Sequence, residues 1–95
     1  MDNIAQTIFG QIKALDRLAL GAWGAKDLVN TGKGLKFKTS GMVKWKGWVE
    51  IILDEGQDLY NINFYKIRGT NVNYTQQLEG VFVEDMVRLI DEVVG

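Results

Sequence analysis

The stretch that most constrains the fold runs from Val43 to Arg68. Two long runs rich in Val, Ile, Trp, Tyr and Phe, Val43–Leu53 and Leu59–Arg68, flank the polar segment Asp54-Glu55-Gly56-Gln57-Asp58. Branched and aromatic side chains favour extended chain, and a short polar separator built around glycine has hairpin chemistry. In the first arm Val43, Trp45, Val49, Ile51 and Leu53 share one side, and Lys44, Lys46, Trp48, Glu50 and Ile52 the other. In the second arm Tyr60, Ile62 and Phe64 oppose Asn61, Asn63, Tyr65 and Ile67. A slip of one residue would expose every buried side chain, so the alternation itself predicts which face is core.

The flanking segments fit around this hairpin. Ile4, Ile8, Ile12, Leu15 and Ala19 recur at helical spacing and predict one amphipathic helix, ended by Gly21 and Gly24 on either side of Trp23. Asn3 with Gln6 has the form of a capping box, and Asp2 adds negative charge at the positive end of the helix dipole. Two short strands are predicted, Ala25–Asn30 and Leu35–Thr39, joined by the turn Thr31-Gly32-Lys33-Gly34. In the second, Leu35, Phe37 and Thr39 alternate with Lys36 and Lys38, as in a strand with one wet side. After Gly69-Thr70-Asn71 comes a weaker strand, Val72–Leu78, and then a helix over Val83–Val94 with Met86, Leu89, Ile90, Val93 and Val94 on its apolar stripe. Short connections between strands imply antiparallel neighbours. The expectation is a single α+β domain over residues 1–95: an antiparallel meander of four to five strands, flanked in sequence by an N-terminal and a C-terminal helix, both packed on one face.

Composition narrows the chemistry. The chain has neither cysteine nor histidine, which removes disulfides, thiolate nucleophiles, Ser-His and Cys-His triads and the commonest ligands of zinc. What remains are carboxylates, lysines, tyrosines and hydroxyls, so the expectation is a protein that is not an enzyme, with no catalytic residues, no cofactor and no metal. The start of the chain has neither the basic n-region nor the long apolar run of a signal peptide, and no apolar stretch is long enough to span a bilayer. A cytoplasmic protein with no membrane association is expected. Net charge is −1, but unevenly spread. Lys33, Lys36, Lys38, Lys44 and Lys46 form a run free of acids, whereas Glu79, Glu84, Asp85, Asp91 and Glu92 face Arg88 alone.

Two constellations stand out on the outward side of the predicted sheet. Trp48, Ile52, Tyr65 and Ile67 make an apolar patch if the helices cover only the opposite face, and such patches mark a protein partner or an oligomer interface. The plainer reading is that the sheet curls over them. Lys36, Lys38, Lys44 and Lys46, with Asn61 and Asn63 beside the same aromatics, form the alternative: lysines neutralise phosphates and aromatics stack on bases. Lysines on an outward face also serve merely to keep a sheet soluble and its edges unpaired. Of the acidic neighbours Asp54-Glu55 with Asp58, Glu84-Asp85 and Asp91-Glu92, the first spans a hairpin tip and lacks the spacing of a calcium loop, and Gly32-Lys33-Gly34 lacks the remainder of a phosphate-binding loop.

The strings GAKDLV, GLKFK, VEIILD, DLYNINFYKIRG and EGVFVEDMVRLIDEVVG, in this order, resemble a group of small proteins encoded in phage and prophage genomes. The likeness covers the chain from about Ile4 to Gly95; Trp23 and Trp48 stand outside its shared pattern. The resemblance implies an origin in a virus or mobile element and residence in the bacterial cytoplasm. It carries no functional residues, so the function expected from the residues is a non-enzymatic binding module using its outward sheet face on a protein partner or another copy of itself; the alternative is nucleic-acid binding.

Overall fold

The hairpin is the middle of a five-stranded sheet. The computed structural model describes residues 3–95; Asp2, assigned above to the start of the first helix, lies outside the described residues. The elements are α1 (Ile4–Leu15), α2 (Ala19–Ala22), β1 (Lys26–Asn30), β2 (Gly34–Lys38), β3 (Trp48–Asp54), β4 (Leu59–Arg68), β5 (Asn71–Val81) and α3 (Val83–Val94). The strands lie in the order β1-β2-β3-β4-β5, every neighbouring pair antiparallel, and the helices pack on one face: the α+β meander expected.

Local chemistry accounts for the element ends. The Asn3 carboxamide accepts from the Gln6 N–H at 2.8 Å while Gln6 accepts from the Asn3 N–H at 3.3 Å, closing the capping box. The single long helix expected to run to Ala19 is instead broken after Leu15. Asp16 takes an extended backbone and its carboxylate accepts from the Leu18 N–H at 3.0 Å, a local bond that competes with the helix. The apolar spacing survives the break, since Ala19 is buried at the start of α2, but Leu15 and Leu18 are left exposed.

The core lies between the inner sheet face and the helices. Phe37, Val49, Ile51, Ile62 and Phe64 from the sheet meet Ile8 and Ile12 of α1 and Met86, Ile90 and Val94 of α3, all without solvent exposure. Burial of each such side chain stabilises by about 1.5–3 kcal/mol. Trp23 completes this layer. Its ring stacks on Phe37 with centroids 6.0 Å apart, and its indole N–H donates to Asp91 of α3 at 3.1 Å.

The first hairpin arm is shorter than the alternation suggests. Residues from Val43 to Gly47 are not strand, and β3 starts at Trp48. The cause is Thr39, buried at the end of β2. Its hydroxyl accepts from the Gly47 N–H at 3.0 Å and lies 3.1 and 3.2 Å from the carbonyls of Trp45 and Gly47, closing the intervening segment into a loop. That loop docks on the helix layer. The N–H groups of Lys44 and Trp45 donate to the Val94 carbonyl at 3.0 and 3.3 Å, and the Trp45 ring meets Phe64 edge-on. At the other end, β5 is longer than Val72–Leu78 and its pairing with β4 breaks register twice, between Phe64 and Tyr65 and between Tyr60 and Ile62.

Candidate functional site

Among the described residues no helix covers the second face of the sheet, and its side chains stand in cross-strand rows. One row is Lys38, Trp48, Tyr65 and Tyr74, successive register partners on β2, β3, β4 and β5. The next is Lys36, Glu50, Asn63 and Gln77. Beyond β3, Ile67 pairs with Val72.

Of the predicted apolar patch, only Ile67 is well exposed. Trp48 and Ile52 are half-buried, and Tyr65 retains 6% of its exposure. The register break in β5 skips Thr75 and sets Tyr74 opposite Tyr65, their rings 5.6 Å apart, so Tyr74 covers Tyr65 and is itself 56% exposed. Burial, then the neighbouring Glu50 carboxylate and Tyr74, raise the Tyr65 pKa above its ordinary value. The free apolar surface has thus moved toward the sheet edge: Ile67, Val72 and Tyr74 are each about half exposed and lie together on β4 and β5.

The predicted basic face is also redistributed. Lys36 and Lys38 hold their outward positions, and the Lys36 ammonium sits 5.2 Å from the centroid of the Trp48 ring. Lys44 leaves the set, because its backbone is tied to the end of α3. Asn61 is half-buried and braces β5, its carboxamide accepting from the Gly80 N–H at 3.1 Å; Asn63 stays half-buried between Glu50 and Gln77. Lys46 joins Lys38, Lys66 and Arg68 around a groove of about 450 Å³, with Gly47, Trp48 and Ile67 as the rest of its lining. Lys66 and Arg68 were not legible as site residues, because they continue the inward parity of Tyr60, Ile62 and Phe64. Both are exposed where β4 outruns β3, and the Lys66 ammonium sits 5.8 Å from the centroid of the Trp45 ring.

The acidic segments serve turns and helix ends. Asp54 accepts from the N–H groups of Gly56 and Gln57 at 3.1 and 3.4 Å, and Asp85 and Glu92 pair with Arg88 on the outer side of α3. Among the described residues no three Asp or Glu side chains converge to hold a metal ion, and no helix is long and apolar enough to cross a membrane. Comparison with models of protein families, with curated proteins and with solved structures finds no match.

Proposed function

We propose that the chain is a non-catalytic binding module of phage or prophage origin that acts through the helix-free sheet face on a protein partner, and that a second copy of itself is the partner this surface fits best. The origin, and with it the cytoplasm of a bacterial host, rests on the strings quoted above.

The observation that carries the reading is the contiguous cluster of Ile67, Val72 and Tyr74, half in water on the edge strand and its neighbour. Contiguous apolar surface of this kind marks association sites, whereas scattered apolar residues do not. The backbone beside it is also unpartnered. Both β1 and β5 are sheet edges, but β1 is short, broken in register, and carries Lys26 and Asp27, the latter at φ 54°. From Asn71 to Leu78, β5 carries neither charge nor proline, the residues that usually guard an edge, and has only its register breaks to deter pairing. Antiparallel addition of a second β5 sets the end near Lys66 and Arg68 against the end bearing Glu79, so unlike charges meet across the two-fold axis.

Size-exclusion chromatography with light scattering tests this. The chain should elute with twice its 10.7-kDa mass. Tyr74→Lys, which puts a charge into the apolar cluster, should return it to one copy without unfolding it. A monomer at all concentrations contradicts self-association.

A further inference from the structure

The groove at the end of β3 points to a ligand of a different class. We infer that Lys38, Lys46, Lys66 and Arg68 bind the phosphates of a single-stranded nucleic acid while Trp48 receives a base. This inference goes beyond the association surface proposed above and rests on different ligand-binding side chains, the apolar cluster and the groove lining sharing only Ile67.

The groove exists because β3 starts late. Trp48 pairs with Tyr65, so Lys66, Ile67 and Arg68 of β4 run on without a β3 neighbour, and the chain arrives at Trp48 from below through Lys46 and Gly47. Gly47 is buried, and a Cβ there would stand 2.8 Å from the Tyr65 carbonyl and 2.6 Å from the Trp45 ring. Only glycine lets the backbone lie so close, so the floor is a fixed feature of the packing. The lining then draws basic residues from three parts of the chain round one space of about 450 Å³, with the Lys66 ammonium drawn aside to lie 5.8 Å from the centroid of the Trp45 ring.

No carboxylate among the described residues lines that space, although the chain holds 12 acidic residues against 11 basic ones. Among the described residues the only ion pairs are those of Arg88 with Asp85 and Glu92, on α3. The four groove cations are therefore uncompensated by any described anion within contact distance. Mutual repulsion held in place by a rigid sheet end is relieved by an anion from outside. Nothing here resembles a general polyanion surface, because the chain as a whole is slightly acidic; the attraction is local.

Two features favour nucleic acid over an acidic peptide. The cations are dispersed around the groove, which suits successive phosphates along a strand better than one small anion. The wall they surround is an indole, and every base has a flat face to lay on it, whereas a carboxylate side chain has none. Two contacts must yield: the Lys36 ammonium 5.2 Å from the centroid of the Trp48 ring and the Lys66 ammonium 5.8 Å from that of the Trp45 ring are both on flexible stems, free to turn to phosphates as the strand arrives.

The test is fluorescence anisotropy with a labelled oligothymidylate of about twelve nucleotides, beside a labelled polyglutamate peptide of similar length. Four phosphate contacts predict a fall in affinity of about fiftyfold from about 50 to about 200 mM salt, and Lys38→Gln with Lys46→Gln should reduce that fall to about sevenfold. Trp48→Ala should weaken binding about tenfold while leaving the salt dependence unchanged, and Trp48→Phe should restore most of it. Circular dichroism on each variant separates loss of binding from loss of fold. Absence of oligothymidylate binding at low salt, binding indifferent to the two lysine changes, or polyglutamate bound as tightly as the oligonucleotide would each overturn the inference. Light scattering on the same samples reads self-association independently, so failure of either proposal is visible without the other.

Discussion

The two faces of this sheet are made by alternate residues of the same strands, yet they obey different rules. On the inner face Phe37, Ile51, Ile62 and Phe64 lose all contact with water beneath the helices. Across the same backbone, Lys36, Trp48, Glu50 and Asn63 keep some of theirs, with a charge beside aromatics in one row and charges beside amides in the next. The inner face is specified by volume, so it tolerates little change. The outer face is specified by what it leaves uncovered. Its residues contribute modestly to stability, which frees them for contact with other molecules.

The comparison breaks most visibly at Phe64. Phe64→Ala should cost about 3–5 kcal/mol in urea denaturation, whereas Lys38→Ala, on the other face of the adjoining β2–β3 ladder, should stay within about 0.5 kcal/mol. Equal effects would mean that the outer face is structural as well. Next comes Thr39→Val, which keeps the volume but removes the hydroxyl that closes the loop between β2 and β3. It should cost about 1–3 kcal/mol and, because that loop forms one side of the basic groove, should also weaken anion binding. A thermal melt and the anisotropy titration read the two consequences separately.

The inner face and the long helix α3 were legible because they repeat. Leu35 with Phe37, Val49 with Ile51, and Tyr60, Ile62 and Phe64 keep strict alternation, and each of these positions is buried. What escaped was set by single contacts without a period. Val43 and Trp45 extend the parity of Val49 and so read as strand, but Thr39 and the Val94 carbonyl hold them in a loop. Trp23, isolated between glycines, gives no periodic signal, and only its stacking on Phe37 and its bond to Asp91 show it to be core. At the site, one skipped residue in β5 decided the outcome. It brings Tyr74 over Tyr65, converts a foreseen contact residue into a buried one, and makes Tyr74 the exposed residue in its place. Bulges leave no reliable mark in a sequence of Thr, Gln and Asn.

The smallest expected effect involves one tyrosine from each face. Burial, with the nearby Asp58 carboxylate, raises Tyr60 above its ordinary 10.0, as burial, Glu50 and Tyr74 raise Tyr65. Because the folded state holds these protons more tightly than the unfolded chain, the associated stability is present in full below about pH 10 and is lost as pH rises through the folded-state values. Denaturation midpoints should therefore decline in alkaline solution, and Tyr60→Phe or Tyr65→Phe should each flatten the decline. A slope untouched by both substitutions would place the alkaline sensitivity elsewhere.

The most direct test of the helix-free face as the working surface is a dilution series followed by amide NMR. On raising the protein concentration, resonances of Ile67, Val72 and Tyr74 should shift together while those of Ile8, Phe64 and Ile90 remain fixed. Shifts confined to α1 and α3, or a spectrum that stays unchanged while light scattering reports a monomer throughout, would contradict the account.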